Sequence, residues 1–160
     1  MSAKSQDLPF VENYLPAMMN KASHLISAEF HQVAQAHGFS VTEWRVLACL
    51  HDGRGYNIGE LSEAALTKQP TLTRLLARME SRGEVLRKDS PEDKRITLVR
   101  LTPKGTRVAN KLVALAREHE ERVLAELGFQ SANDLKRALR QLAELHGESL
   151  KGSLEPSSDA

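Results

Sequence analysis

Apolar residues recur every three or four positions from Leu15 through Met18, Met19, Ala22, Leu25, Ile26 and Phe30 to Val33. That is the spacing of one helix face, and Gly38 stops it. "SVTE" then sets Ser40 three residues before Glu43, a capping box that opens a second helix at "WRVLACL" and lets it run to Asp52–Gly53. "NIGE" repeats the signal with Asn57 and Glu60 and opens a short helix, "IGELSEAAL". Thr67 is positioned to cap a fourth, "PTLTRLLARMESR", with Pro70 in its first turn and Gly83 closing it.

After Gly83 the period changes. "EVLRK" and "RITLVRL" are short, β-branched and alternating, and "DSPEDK" between them is rich in turn formers. This predicts a two-stranded hairpin with a loop of about six residues. Thr102 and Pro103 occupy N-cap and N1 of a long helix reaching about Leu127, where Gly128 breaks it. Ser131 opens a last helix carrying Leu135, Leu139, Leu142 and Leu145 on one side. Three helices followed by a hairpin is the order of a winged helix-turn-helix, with "PTLTRLLARMESR" as the reading helix and the hairpin as the wing. The fold class expected is mainly α (α+β). Residues 40–102 would form the winged helix-turn-helix, and 11–38 with 103–148 the helices of a dimerisation domain. Residues 1–10 would be a disordered arm and 149–160 a disordered tail.

Composition narrows the function. The 160 residues suit about one domain, and 41% are apolar. No run approaches a membrane span, and "MSAKSQDLPF" lacks the apolar stretch of a secretory signal. A single cysteine, Cys49, rules out an internal disulfide framework. A cytoplasmic location is the expectation. Net charge is only +1, yet Lys68 to Arg107 holds eleven Lys or Arg against five Asp or Glu, a net +6, leaving −5 elsewhere. A basic middle with acidic ends is either an electrostatic footprint for a polyanion or a solvated charged surface.

The side chains decide between these. On the fourth helix, Leu72, Leu75, Leu76 and Met79 share one face. Lys68, Gln69, Thr71, Thr73, Arg74 and Arg78 occupy the other, the residue types that reach phosphates and base edges. An ordinary amphipathic surface helix would show the same split, so the basic wing beside it carries weight. Lys88, Lys94 and Arg95 would meet phosphate and minor groove. Asp93, repelled by phosphate, would instead hold Arg95 or another nearby Arg in position.

"EWRVLACL", "IGELSEAAL", "PTLTRLLARMESRGEVLRK" and, above all, "DKR" followed by "ITLVRLTPKG" resemble the MarR family of bacterial transcription regulators across residues 12 to 148. Asp93 and Arg95 match the family's wing signature. One departure from the family's pattern is "GEVLRK", where an apolar residue often follows the Gly and this chain has Glu84. The resemblance implies a homodimer held by N- and C-terminal helices that acts as a repressor. It would bind double-stranded DNA at a palindromic operator and be released by a small-molecule effector, often an aromatic carboxylate or its derivative. Apolar stripes on the terminal helices, including Val108, Leu112 and Leu115, agree with dimerisation. An intramolecular bundle would use the same stripes.

Candidate effector contacts are Tyr14, Met18, His24, His31, Trp44 and Arg45. Arg45 or a protonated His would pair with a carboxylate, and Trp44 or Met18 would cover a ring. Trp44 and Met18 serve equally as core residues. Redox sensing through Cys49 and metal sensing through His24, His31 and His119 are weaker alternatives. Cys49 sits among Val46, Leu47 and Leu50, and no HxxxH or CxxC is present. No cofactor is expected. Neither a Gly-rich phosphate loop nor G-x-S-x-G nor HExxH occurs, so nothing points to an enzyme. A helical interaction module without DNA binding is the remaining alternative, separable by the salt dependence of DNA affinity.

Overall fold

The computed structural model describes residues 9–93, 95–125 and 129–153. Among these described residues seven helices and two strands follow one another: α1 Phe10–Asn13, α2 Leu15–Ala36, α3 Val41–Leu50, α4 Ile58–Ala64, α5 Gln69–Ser81, β1 Val85–Asp89, β2 Thr97–Leu101, α6 Pro103–Ala125 and α7 Phe129–Ser153. Contacts divide the chain between His119 and Glu120, within α6. Among the described residues no helix is long and apolar enough to cross a membrane.

Local chemistry sets most boundaries. Both capping boxes form: the Ser40 hydroxyl accepts from the Glu43 amide and Glu43 from that of Ser40, and Asn57 and Glu60 repeat the exchange. Gly83, at φ +71°, ends the α5 segment in a conformation L side chains rarely adopt. Thr102 caps α6, its hydroxyl accepting from the Gly105 amide at 3.0 Å.

Several boundaries differ from expectation. A short α1 precedes α2; Tyr14 is extended between them, and Pro16 sits in the first turn of α2, where its missing N–H has no partner to lose. The cap position of α5 is Lys68, not Thr67, and no side chain bonds there. Seven residues, 90–96, separate the strands. Helix α7 starts at Phe129 rather than Ser131 and continues to Ser153, into the stretch expected to be a tail. Most of the expected arm (1–8), the rest of the tail (154–160) and the junction 126–128 lie outside the described residues.

One core organises the first unit. Val46, Leu47 and Leu50 of α3, Leu61 of α4, and Leu72, Leu75, Leu76 and Met79 of α5 close over Val85 and Val99 of the hairpin. Each fully buried side chain of this size contributes about 1.5–3 kcal/mol. Ala109 and Leu112 of α6 complete that core, with Val108 packed against it. Leu112 and Val108 are therefore used within the chain, where the sequence assigned them to dimerisation. The hairpin is antiparallel, with Val85 opposite Leu101 and Asp89 opposite Thr97. Tyr56 adds a bridge to Val99 on the free edge of β2, an element without a sequence signal.

In the second unit Ala132 is buried, and Lys136 pairs with Glu120 at 2.7 Å.

Candidate nucleic-acid interface

Helix α5 separates its faces completely. Leu72, Leu75, Leu76 and Met79 are buried, while Lys68, Gln69, Thr71, Thr73, Arg74 and Arg78 are all exposed. Thr71, Arg74, Ala77 and Arg78 flank a shallow groove along the outward face. The Thr73 hydroxyl donates to the Gln69 carbonyl at 2.9 Å, which leaves its oxygen lone pairs for a partner. The Gln69 side-chain amide lies back over the first turn of α4, near Gly59.

The wing presents Lys88, Asp93 and Arg95 to solvent. Lys94 lies outside the described residues. Asp93 accepts from the backbone amide of Arg95 at 2.9 Å, and its own carbonyl accepts from the Ile96 amide at 2.9 Å. The expectation that Asp93 holds an arginine head is corrected in detail: it holds the backbone of Arg95, through a turn that fixes where the side chain leaves the hairpin. Among the described residues no carboxylate pairs with the Arg95 guanidinium.

The six candidate effector residues do not converge within one chain. Tyr14 stacks on Phe10 with ring centroids 5.1 Å apart, at the start of α2. His31 lies seventeen positions further along the helix, about 25 Å at 1.5 Å per residue. A single-ring acid touching one does not reach the other. Met18, exposed, belongs with Tyr14. The far end is a cluster: Trp44 packs on Phe30 (4.9 Å between centroids), and Phe30 on the buried His119 (5.7 Å), whose Nε2 lies 3.2 Å from a Glu29 carboxylate oxygen. Burial, the Arg45 guanidinium and His24 together hold His31 below the ordinary histidine range. This disfavours a protonated His31 as the anion partner, one of the cations the sequence offered beside Arg45. His119 pairs with Glu29, which the sequence did not suggest. Among the described residues no group of His, Cys, Asp or Glu is arranged to hold a metal ion. Burial and Asp52 push the Cys49 thiol up, which suppresses the thiolate that a redox sensor needs.

Sequence reasoning missed Arg82 altogether. Its guanidinium bonds Glu43 at 2.6 Å and Glu84 at 2.8 Å, carboxylates 39 positions before it and two after it. Only folding brings Glu43 within reach. Glu84, the departure from the family pattern, is buried in this pair rather than left as a surface substitution.

The geometry has close counterparts. The MarR family profile matches residues 39–97. A MarR family transcriptional regulator from Silicibacter pomeroyi DSS-3 superposes with a TM-score of 0.77 and 40% identity, over 86% of this chain and 98% of its own. The chain belongs to the MarR family. The HTH-type transcriptional repressor IacR of Pseudomonas putida is 34% identical over 99 residues, 62% of this chain and 59% of that repressor's length. The transcriptional repressor CouR, solved bound to a 23-mer DNA duplex, superposes with a TM-score of 0.67 and 26% identity, over 86% of this chain and 99% of its own. This MarR-family chain is thus a winged-helix transcription regulator.

Proposed function

We propose that two copies of this MarR-family chain bind a palindromic DNA operator as a repressor, and that a small aromatic acid or a derivative of it releases them. The observation that carries the DNA reading is the split of α5. Four apolar side chains anchor it to the core, and six polar or basic ones project away from it beside an arginine-tipped hairpin. CouR, of the same fold, was solved on a duplex, which supports the reading. Gln69 and Arg74 have the donor and acceptor patterns that read adenine and guanine in the major groove. Lys68, Thr71, Thr73, Arg78 and Lys88 contact phosphate or sugar and set register. Arg95, and Lys94 beside it, enter the adjacent minor groove, while Asp93 keeps the turn that aims Arg95.

Two chains are needed because one winged helix reads only a half-site. The effector's carboxylate pairs with Arg45 while Trp44 covers its ring. His31 and His24 shape the polar side of that site, and Tyr14 and Met18 take no part in it within the same chain. An effector that binds one arrangement of the wings better than the other shifts the dimer between them, and 1.4 kcal/mol of preference is about tenfold in DNA affinity.

Fluorescence anisotropy on a labelled duplex from upstream of the protein's own coding sequence tests this. Binding should be tight and should weaken steeply with salt, in proportion to the phosphates contacted. Arg95→Ala should weaken binding to every duplex, whereas Gln69→Ala or Arg74→Ala should alter the preferred base by about 1–3 kcal/mol. Wild-type affinity in Arg95→Ala would sink the wing assignment. An aromatic-acid response that survives Arg45→Ala would sink the effector site.

A further inference from the structure

Two buried carboxylates share one cation between the reading helix and the wing. Glu43, on the first turn of α3, and Glu84, just before β1, have side chains only 8% and 6% exposed. Arg82, immediately after α5, donates through Nη2 to Glu43 at 2.6 Å and through Nη2 and Nε to Glu84 at 2.8 and 3.1 Å. Its backbone carbonyl accepts from the Lys104 ammonium of α6 at 2.6 Å. Glu43 also accepts from the Ser40 amide at 2.7 Å, so one carboxylate both caps α3 and holds the end of α5. On the other side, the Glu84 carbonyl accepts from the Thr102 amide at 3.0 Å. Gly105 passes so close to that carbonyl that a Cβ there would lie 1.9 Å from it.

This goes beyond an ordinary ion pair. A guanidinium has a rigid fork of donors and can bind two carboxylates at once, which an ammonium cannot do in the same geometry. The three charges lie where α3, α5 and β1 meet. α3 also carries Trp44 and Arg45, α5 carries the base readers, and β1 leads to the wing. We propose that Arg82 is a positioning residue for DNA recognition, fixing the angle between reading helix and wing and tying both to the start of α3. This rests on the DNA-binding reading above. Arg82 itself touches no DNA. It acts by keeping Arg95 and the α5 side chains in register with one duplex at the same time. Misplacing either by about 1 Å is enough to forfeit contacts that depend on both.

Arg82→Ala would strand two buried carboxylates and is at risk of not folding. The test therefore uses Arg82→Lys, Glu84→Gln and Glu43→Gln. Circular dichroism and a melting curve establish that each is folded at the assay temperature, and anisotropy on the upstream duplex is then run over a salt series. Glu84→Gln, which loosens only the wing side, should bind five- to tenfold more weakly. Its slope of log affinity against log salt should shrink by about one, the signature of a lost phosphate contact. Arg82→Lys should move both quantities in the same direction. Arg82→Lys with Glu84→Gln should be no weaker than the worse single variant, because both cut the same network. Glu43→Gln should lower affinity while leaving the slope nearer to that of the wild type.

A clamp with a purely structural role would lower the melting temperature and leave affinity and slope untouched. That result in all three variants overturns the proposal while the DNA-binding reading stands. Absence of wild-type binding at low salt would instead overturn the DNA-binding reading, and this proposal with it.

Discussion

Leu66 is the one residue besides glycine with a positive φ, +52°, among the described residues, and it is 77% exposed. It sits in the turn between α4 and α5, where a Cβ crowds the backbone at a cost of about 1–2 kcal/mol. Little packing holds it there. Leu66→Gly should remove the strain, less the larger unfolded-state entropy of glycine, for a net gain of about 0.5–1 kcal/mol. In a chain of this size that is about 2 °C in melting temperature, read by thermal unfolding. A lower melting temperature would show that the exposed side chain makes contacts that offset its strain. The sequence carried no hint of this: "ALTK" reads as a turn only after the helices on either side are placed. The outward-facing polar residues of α5 are the opposite case. Lys68, Gln69, Thr71, Thr73, Arg74 and Arg78 were legible because a helix with four buried apolar positions has one direction left for its polar ones.

At the scale of elements, the start of α3 answers to pH. Burial raises the Glu43 carboxyl, but hydrogen bonds from Ser40 and Arg82, together with the Arg82 charge, outweigh it and hold it below the ordinary glutamate range. Glu43 is then harder to protonate in the folded chain than in the unfolded one. The stabilisation is complete above the ordinary glutamate range and is lost as the pH falls through and below it. Denaturant midpoints measured from pH 6 downwards should fall for the wild type, and less steeply for Glu43→Gln. Parallel acid limbs would show that this carboxylate is not what acid attacks. Both capping boxes could be located beforehand, because their partners lie three residues apart. The Arg82 network could not, because its partners lie on separate elements and nothing local requires them to meet.

At the scale of the whole molecule, eleven of the thirteen exposed large apolar side chains among the described residues lie between Phe10 and Ile26 or on α7. Apolar exposure so concentrated marks surfaces that another chain covers. In a two-fold dimer each substitution is present twice, and a buried unpaired carboxylate costs several kcal/mol. Leu15→Glu, and separately Leu139→Glu, should therefore raise the dimer dissociation constant at least a thousandfold. Light scattering coupled to size exclusion should then find monomers, and operator affinity should fall with them. Dimers that persist in both variants would place the interface elsewhere.

The sequence by itself determined what depends on near neighbours along the chain. Helical and strand periods, both capping boxes, the polar face of α5 and the alternating arms of the wing follow from spacings of two to four residues. So does the concentration of positive charge between Lys68 and Arg107. Tertiary structure alone decided what depends on distant segments meeting. It drew Ala109 and Leu112 into the core of the winged unit, and it set Tyr56 beside Val99. It buried Glu43 and Glu84 against one guanidinium, and it set Trp44 on Phe30, sixteen positions along α2 from Tyr14. Periodicity tells which side of an element is apolar. Which neighbour that side meets is settled only when all the elements compete for the same core.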